Sequence, residues 1–241
     1  MKEESACRTK AMVAVKKHLG SMGRYYTTLP DLMGYFQVFC VVLYPLMHAL
    51  GCPRVVAGLH ILKEVVDSAD GMVARRIGQC TNFGALLDLS TDTVAEYALM
   101  ACIALAAHGS TYLCPMFTGL GFTAFLVLFM WLQTIDVAIN FYFLGQGRSW
   151  KKEEYDCPIT RWYYKNEWNH NFLFNSWHLF YVGFYLQASG ETTLGSLILC
   201  ATVVPFMMRA RCLYVVQKSQ FRRVYDQEVL QAAAEAVAAA S

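Results

Sequence analysis

The chain has 241 residues, of which 56% are hydrophobic and only 16% charged, and its mean hydropathy is +0.32. Soluble domains typically carry about 25% charged residues, so this balance argues against an ordinary soluble domain and indicates a membrane protein with several spans. The net charge of +2 gives no reason to expect a nucleic-acid partner. The nine cysteines are scattered without a CxxC pair, which argues against a disulfide framework or a zinc site.

The N-terminal segment, residues 1–28, is charged and has no apolar run before residue 30, so no cleaved signal peptide is predicted. Within it, residues 10–23 have the pattern of a short amphipathic helix lying at the membrane interface. Six apolar segments follow, each near or above the ~20 residues that one bilayer crossing needs. They are 31–50, 55–76, 85–108, 112–145, 171–188 and 193–216.

The fold class predicted from these segments is all-α: a polytopic integral membrane protein with six transmembrane helices. Lys and Arg concentrate before residue 25, at 75–76, in the 146–166 loop and from residue 209 onward. By the positive-inside rule this distribution places both ends of the chain in the cytoplasm. We expect one membrane domain over 1–241, with residues 217–241 as a cytoplasmic C-terminal tail.

Four aspartates interrupt the second and third predicted spans: Asp67, Asp70, Asp88 and Asp92. A carboxylate buried without compensation costs several kcal/mol, so acids inside a membrane indicate function by default. Spacings of three and four residues put each pair on one helix face, and the turn near 78–81 can bring the two pairs together.

Converging carboxylates need a compensating cation, and hard oxygen ligands suit Mg²⁺ or Mn²⁺. Gly71, Ala74 and Gly84 are small enough to allow close approach of a ligand or a neighbouring helix, and Arg75 can pair with a phosphate. The alternative is that the aspartates make ordinary polar helix contacts or line a cation or proton pathway.

The whole stretch matches the signature D-x2-D-G-x2-A-R-x8-G-x3-D-x3-D without a departure. This signature resembles that of the CDP-alcohol phosphotransferase family. The resemblance implies a membrane enzyme, usually a homodimer, that transfers a phospho-substituent from a CDP-linked donor to an alcohol and releases CMP.

The resemblance also implies a role for each residue of the signature. Asp67, Asp70 and Asp88 would hold one or two divalent ions, Mg²⁺ or Mn²⁺, with two as the expected number. Asp92 would be the general base and a further candidate metal ligand. The nucleotide and diphosphate pocket would be shaped by Gly71, Ala74, Arg75 and Gly84.

Roughly residues 29–188 also resemble, more weakly, the phosphatidylinositol synthase branch of that family. Examples are the segments "LPDLMGY" and "QCTNFGALLDLSTD". It implies CDP-diacylglycerol as the donor, myo-inositol as the acceptor, and an endoplasmic reticulum membrane with the site facing the cytoplasm. Golgi and mitochondrion stay open. Residues on the acceptor side would be Asp136, Lys151, Asn82 and Thr93.

The chain departs from that branch at several positions, and three of them lose an arginine. Fewer arginines favour a neutral acceptor over a phosphorylated one. Lys63, four residues before Asp67, can neutralise that carboxylate or form an interhelical ion pair. The departures are Asp31, Gln37, Lys63, Glu64, Asn82, Thr93 and Trp150.

Two alternatives to an inositol phosphatidyltransferase stay open. One keeps the chemistry with another donor or acceptor, as in an ethanolamine- or choline-phosphotransferase or a synthase acting on serine. The other is a catalytically silent relative that acts as a scaffold.

Overall fold

The computed structural model of the chain describes residues 28–79, 82–108, 110–113, 119–145 and 158–240. Within these ranges the protein is all helical, which confirms the predicted class. The predicted interfacial helix at 10–23 lies outside them. In chain order the helices are α1 (Leu29–Ala49), α2 (Pro53–Ile77), α3 (Asn82–Ala107), α4 (Gly119–Gly145), α5 (Pro158–Lys165), α6 (Glu167–Ala188) and α7 (Thr192–Ala240).

Three stretches of helix are long and apolar enough to cross a membrane: Leu29–Ala49, Phe83–Ala107 and Thr192–Ser219. They coincide with the first, third and sixth predicted spans. The predicted fourth span begins at 112, whereas α4 begins at Gly119. Beyond the predicted sixth span, α7 continues to Ala240, so the predicted tail is helical. The alanine-rich tail extends the helix because alanine has the highest intrinsic helix propensity.

Local sequence signals explain where the first two helices begin and end. Thr28 and Asp31 form a capping box: Asp31 Oδ2 accepts hydrogen bonds from the Thr28 amide at 3.1 Å and from its hydroxyl at 2.6 Å. α2 begins with Pro53 and ends at Gly78, whose φ of 67° is the left-handed conformation that glycine adopts without strain. The next helix, α3, begins at Asn82.

The chain divides into two compact units, residues 1–98 and 99–241, and the boundary lies within α3. In the first unit α1 packs on α2, with Tyr44 and Val56 fully buried. A Cβ placed on Gly34 would lie 2.7 Å from Leu87 Cδ2, so this glycine lets α1 approach α3 closely.

In the second unit α6 packs along α7. A Cβ on Gly195 would lie 2.6 Å from the backbone nitrogen of Gln187, so the two helices meet there at backbone distance. Phe206 stacks on Trp177 and Phe180, with ring centroids 4.6 Å and 4.0 Å apart.

Candidate active site

Three of the four aspartates converge at the α2–α3 end of the first unit. Asp67, Asp70 and Asp88 each offer a carboxylate oxygen within 4.8 Å of the other two. α2 supplies the first two, and α3, which begins at Asn82, supplies Asp88. Of the four aspartates that the sequence predicts to come together, these three do so.

A divalent cation fits this donor set. Asp67 Oδ1 is buried and accepts no hydrogen bond among the described residues, so one oxygen of the cluster is available to a metal ion. Three mutually close carboxylates repel one another unless a cation lies between them. Oxygen-only ligands match Mg²⁺ or Mn²⁺.

Asp92 is not part of this three-oxygen cluster. Its Oδ1 accepts a hydrogen bond from the Lys63 ammonium, which is fully buried. Lys63 Nζ lies 3.9 Å from Asp67 Oδ1 and 3.3 Å from Glu64 Oε1. Of the two interpretations of Lys63, the structure favours the interhelical ion pair, because the ammonium contacts Asp92 on α3 more closely than Asp67 on its own helix.

A buried polar chain continues from Lys63 away from the aspartates. Glu64 Oε1 lies 3.7 Å from His60 Nε2, and His60 Nδ1 hydrogen-bonds the Tyr44 hydroxyl at 3.1 Å. Tyr44 and His60 are fully buried and Glu64 nearly so. The Lys63 ammonium is thus held on the Glu64 side as well as on the Asp92 side.

Gln37 of α1 reaches the aspartate cluster from a third helix. Its Nε2 donates a 2.6 Å hydrogen bond to Asp70 Oδ2. The partner that α1 brings to Asp70 is therefore a neutral amide. The spacing of residues within α2 and α3 gives no signal for this contact, because Gln37 is 33 positions away from Asp70.

A cavity of about 190 Å³ adjoins the aspartates. It is lined by Asp70 and Asp88 together with all four residues predicted for the nucleotide pocket, Gly71, Ala74, Arg75 and Gly84. Asp31 lines it as well, with its Oδ1 buried and without a hydrogen-bond partner among the described residues. From the sequence, Asp31 is noted only as a departure from the phosphatidylinositol synthase branch, and its place in the cavity wall is not predicted.

Of the four residues predicted for the acceptor side, the structure describes the side chain of Thr93 alone. The Thr93 hydroxyl donates to the Leu89 carbonyl of its own helix at 2.8 Å. Asn82 begins α3 and Asp136 lies on α4, but neither side chain is among those described, and Lys151 lies outside the described residues. Their role stays a prediction.

The helices and the acidic cavity define a helical membrane protein with a candidate cation site. The model of the CDP-alcohol phosphatidyltransferase family matches residues 27–153, just over half of the chain, and the chain belongs to this family.

Several relatives are named CDP-diacylglycerol--inositol 3-phosphatidyltransferase. The human protein is 34% identical over 84 residues, 34% of this chain and 38% of its own length. The Schizosaccharomyces pombe protein is 36% identical over 83 residues, 34% of each chain, and the Drosophila melanogaster protein is 28% identical over 183 residues, 73% of this chain and 70% of its own length. The matched stretch thus spans less than two fifths of the human and fission yeast proteins. No solved structure matches the chain significantly.

Proposed function

We propose that this protein transfers the phosphatidyl group of CDP-diacylglycerol to the hydroxyl of a small neutral alcohol, most readily myo-inositol, and releases CMP. The observation that carries the proposal is that Asp70 and Asp88 line the same cavity as Gly71, Ala74, Arg75 and Gly84. Cation ligands and a phosphate-binding arginine beside one cavity suit a bound nucleoside diphosphate.

Asp67, Asp70 and Asp88 would hold Mg²⁺ or Mn²⁺ beside the diphosphate. When bound, the ion neutralises the diphosphate charge and polarises the phosphorus. Gly71 and Gly84 leave room for the donor in the cavity wall, and Arg75 pairs with a phosphate oxygen. The neutral Gln37 beside Asp70 supports an uncharged acceptor, since an anionic one would need a cation there.

Asp92 would act as the general base. An oxygen of the acceptor hydroxyl attacks the phosphorus that carries diacylglycerol, and the bond from that phosphorus to the bridging oxygen breaks, so CMP leaves with the electron pair. The hydroxyl proton passes to Asp92, whose Oδ2 lies outside the salt bridge that Oδ1 makes with Lys63.

Six membrane crossings, a homodimer and a cytoplasm-facing site in the endoplasmic reticulum complete the proposal, with a single domain over 1–241. The lengths of α2, α4 and α6 support six crossings, since each has at least 22 residues and about 20 are needed.

The test is CMP release by the purified full chain in mixed micelles with Mn²⁺ or Mg²⁺. CDP-diacylglycerol is offered with myo-inositol, serine or glycerol 3-phosphate, and diacylglycerol is offered separately with CDP-ethanolamine or CDP-choline. We expect CMP with CDP-diacylglycerol and inositol, and loss of release on adding EDTA. Release with another pair would reassign the substrates, and no release with any pair would favour the silent scaffold.

A further inference from the structure

Lys63 brings a permanent cation into the aspartate site from the protein itself. The residue is fully buried, and its ammonium lies within 4 Å of carboxylate oxygens of Asp92, Glu64 and Asp67. Lys63 lies four positions before Asp67, at which the aspartate signature begins, so the buried ammonium is not one of the signature residues.

The ammonium lies beside the three-oxygen cluster. Asp67, Asp70 and Asp88 form that cluster, from which Asp92 is absent, and the ammonium is 3.9 Å from Asp67 Oδ1. Asp92 gives its Oδ1 to Lys63. A second divalent cation held by Asp92 would have to use Oδ2 or displace this hydrogen bond, and in either case it would face the like charge of the ammonium.

The surroundings of Lys63 hold the ammonium in place. Glu64 Oε1 lies 3.3 Å from Nζ and is itself 3.7 Å from His60 Nε2. If the Lys63 ammonium moved away from Asp92 or from Glu64, it would leave a buried or half-buried carboxylate without its partner, which is strongly destabilising.

We propose that the Lys63 ammonium takes the place of a second divalent cation, so that the site binds one ion through Asp67, Asp70 and Asp88. This inference rests on the proposed metal role of the three aspartates and fixes the number of ions. Asp92 is then oriented by a salt bridge, and Lys63 is a positioning residue that acts through Asp92.

The experiment counts Mn²⁺ bound by the purified full chain, using the metal alone. Electron paramagnetic resonance measures the Mn²⁺ that stays free during a titration. It also detects magnetic coupling, which two ions about 4 Å apart would produce. We expect one uncoupled Mn²⁺ per wild-type chain and two coupled ions in Lys63→Met.

Two further variants complete the design. Lys63→Met/Glu64→Gln removes both charges together, so Glu64 is not left as a buried carboxylate beside the missing ammonium if the single variant folds poorly, and it is also expected to bind two ions. Lys218→Met removes one exposed positive charge far along α7 and should keep one ion.

Two coupled ions in the wild-type chain would overturn the inference and leave the proposed function standing. Unchanged binding of one ion in both Lys63 variants would overturn it as well, because the ammonium would then not control the ion number. If the wild-type chain binds no Mn²⁺ while CMP release proceeds in EDTA, the proposed metal role fails and the inference falls with it.

Discussion

At the scale of single residues, Asp92 differs from the other three aspartates in its partner. It pairs with a fixed ammonium, whereas Asp67, Asp70 and Asp88 share a site that fits a divalent cation. This difference supports two separate roles: Asp92 accepts a proton, and the other three carboxylates bind a divalent cation.

We expect Asp92→Asn to lower CMP release by about 10²- to 10⁴-fold, the usual contribution of a general base. Binding of CDP-diacylglycerol should stay close to that of the wild type, because Asp92 is outside the three-oxygen cluster. Turnover and donor binding are measured on the same preparation. The comparison variant is Asp70→Asn, which should weaken Mn²⁺-dependent donor binding itself. Near-normal turnover in Asp92→Asn would refute the base assignment.

The sequence predicts that all four aspartates come together, whereas the three-oxygen cluster contains Asp67, Asp70 and Asp88 and not Asp92. Helical spacing explains why Asp67 and Asp70 share one face of α2, but it does not predict the contacts that cross between helices. The pairs Lys63–Asp92 and Gln37–Asp70 join residues 29 and 33 positions apart. No local period links such residues, so only the packing of α1, α2 and α3 reveals their contact.

At the scale of helices, boundaries followed the sequence where a cap was present. The Thr28–Asp31 capping box and Gly78 fix the start of α1 and the end of α2 within a few residues of the prediction. The predicted fourth span begins too early, at 112. The apolar pattern includes residues 112 and 113, but residues 110–113 are not helical in the structure. Hydropathy alone does not distinguish an apolar helix from an apolar connection.

The packing of α6 on α7 depends on the absence of a side chain at Gly195. We expect Gly195→Ala to destabilise the protein by about 1–3 kcal/mol, the usual cost of overpacking. The added Cβ would meet the Gln187 backbone nitrogen at 2.6 Å and the Gly183 carbonyl oxygen at 2.9 Å, and backbone atoms cannot rotate away. The measurement is thermal unfolding in detergent, followed by circular dichroism.

Gly58→Ala is the matched control, because a Cβ at this exposed position within α2 meets nothing within 4 Å. It should be neutral or stabilising by up to about 1 kcal/mol, since alanine is the better helix former. Equal unfolding temperatures for the two variants would show that the close approach at Gly195 does not limit stability.

At the scale of the whole molecule, helix length supports more crossings than apolar composition does. α2 has 25 residues, but charged side chains interrupt its apolar sequence. In α4 the apolar segment that the structure describes is short, Phe122–Ile135. In α2 the charged residues meet one another inside the protein: Lys63 and Glu64 are buried in the first unit. A helix whose charges are paired internally can cross a bilayer although its mean hydropathy is low.

Six crossings place the turn between α1 and α2 on the opposite side of the membrane from the turn between α2 and α3. Cysteines introduced at two exposed turn positions, Leu50 and Gln79, report this. Each substitution, Leu50→Cys or Gln79→Cys, is made in a variant whose nine native cysteines are replaced and which keeps CMP release.

In sealed vesicles with the cytoplasmic face outward, an impermeant maleimide should label Gln79→Cys directly and Leu50→Cys only after detergent. We expect this because Arg75 and Arg76 lie in the last turn of α2, and the positive-inside rule predicts that such a helix end faces the cytoplasm. Labelling of both cysteines before detergent would mean that α2 does not cross the membrane, and six crossings would be rejected.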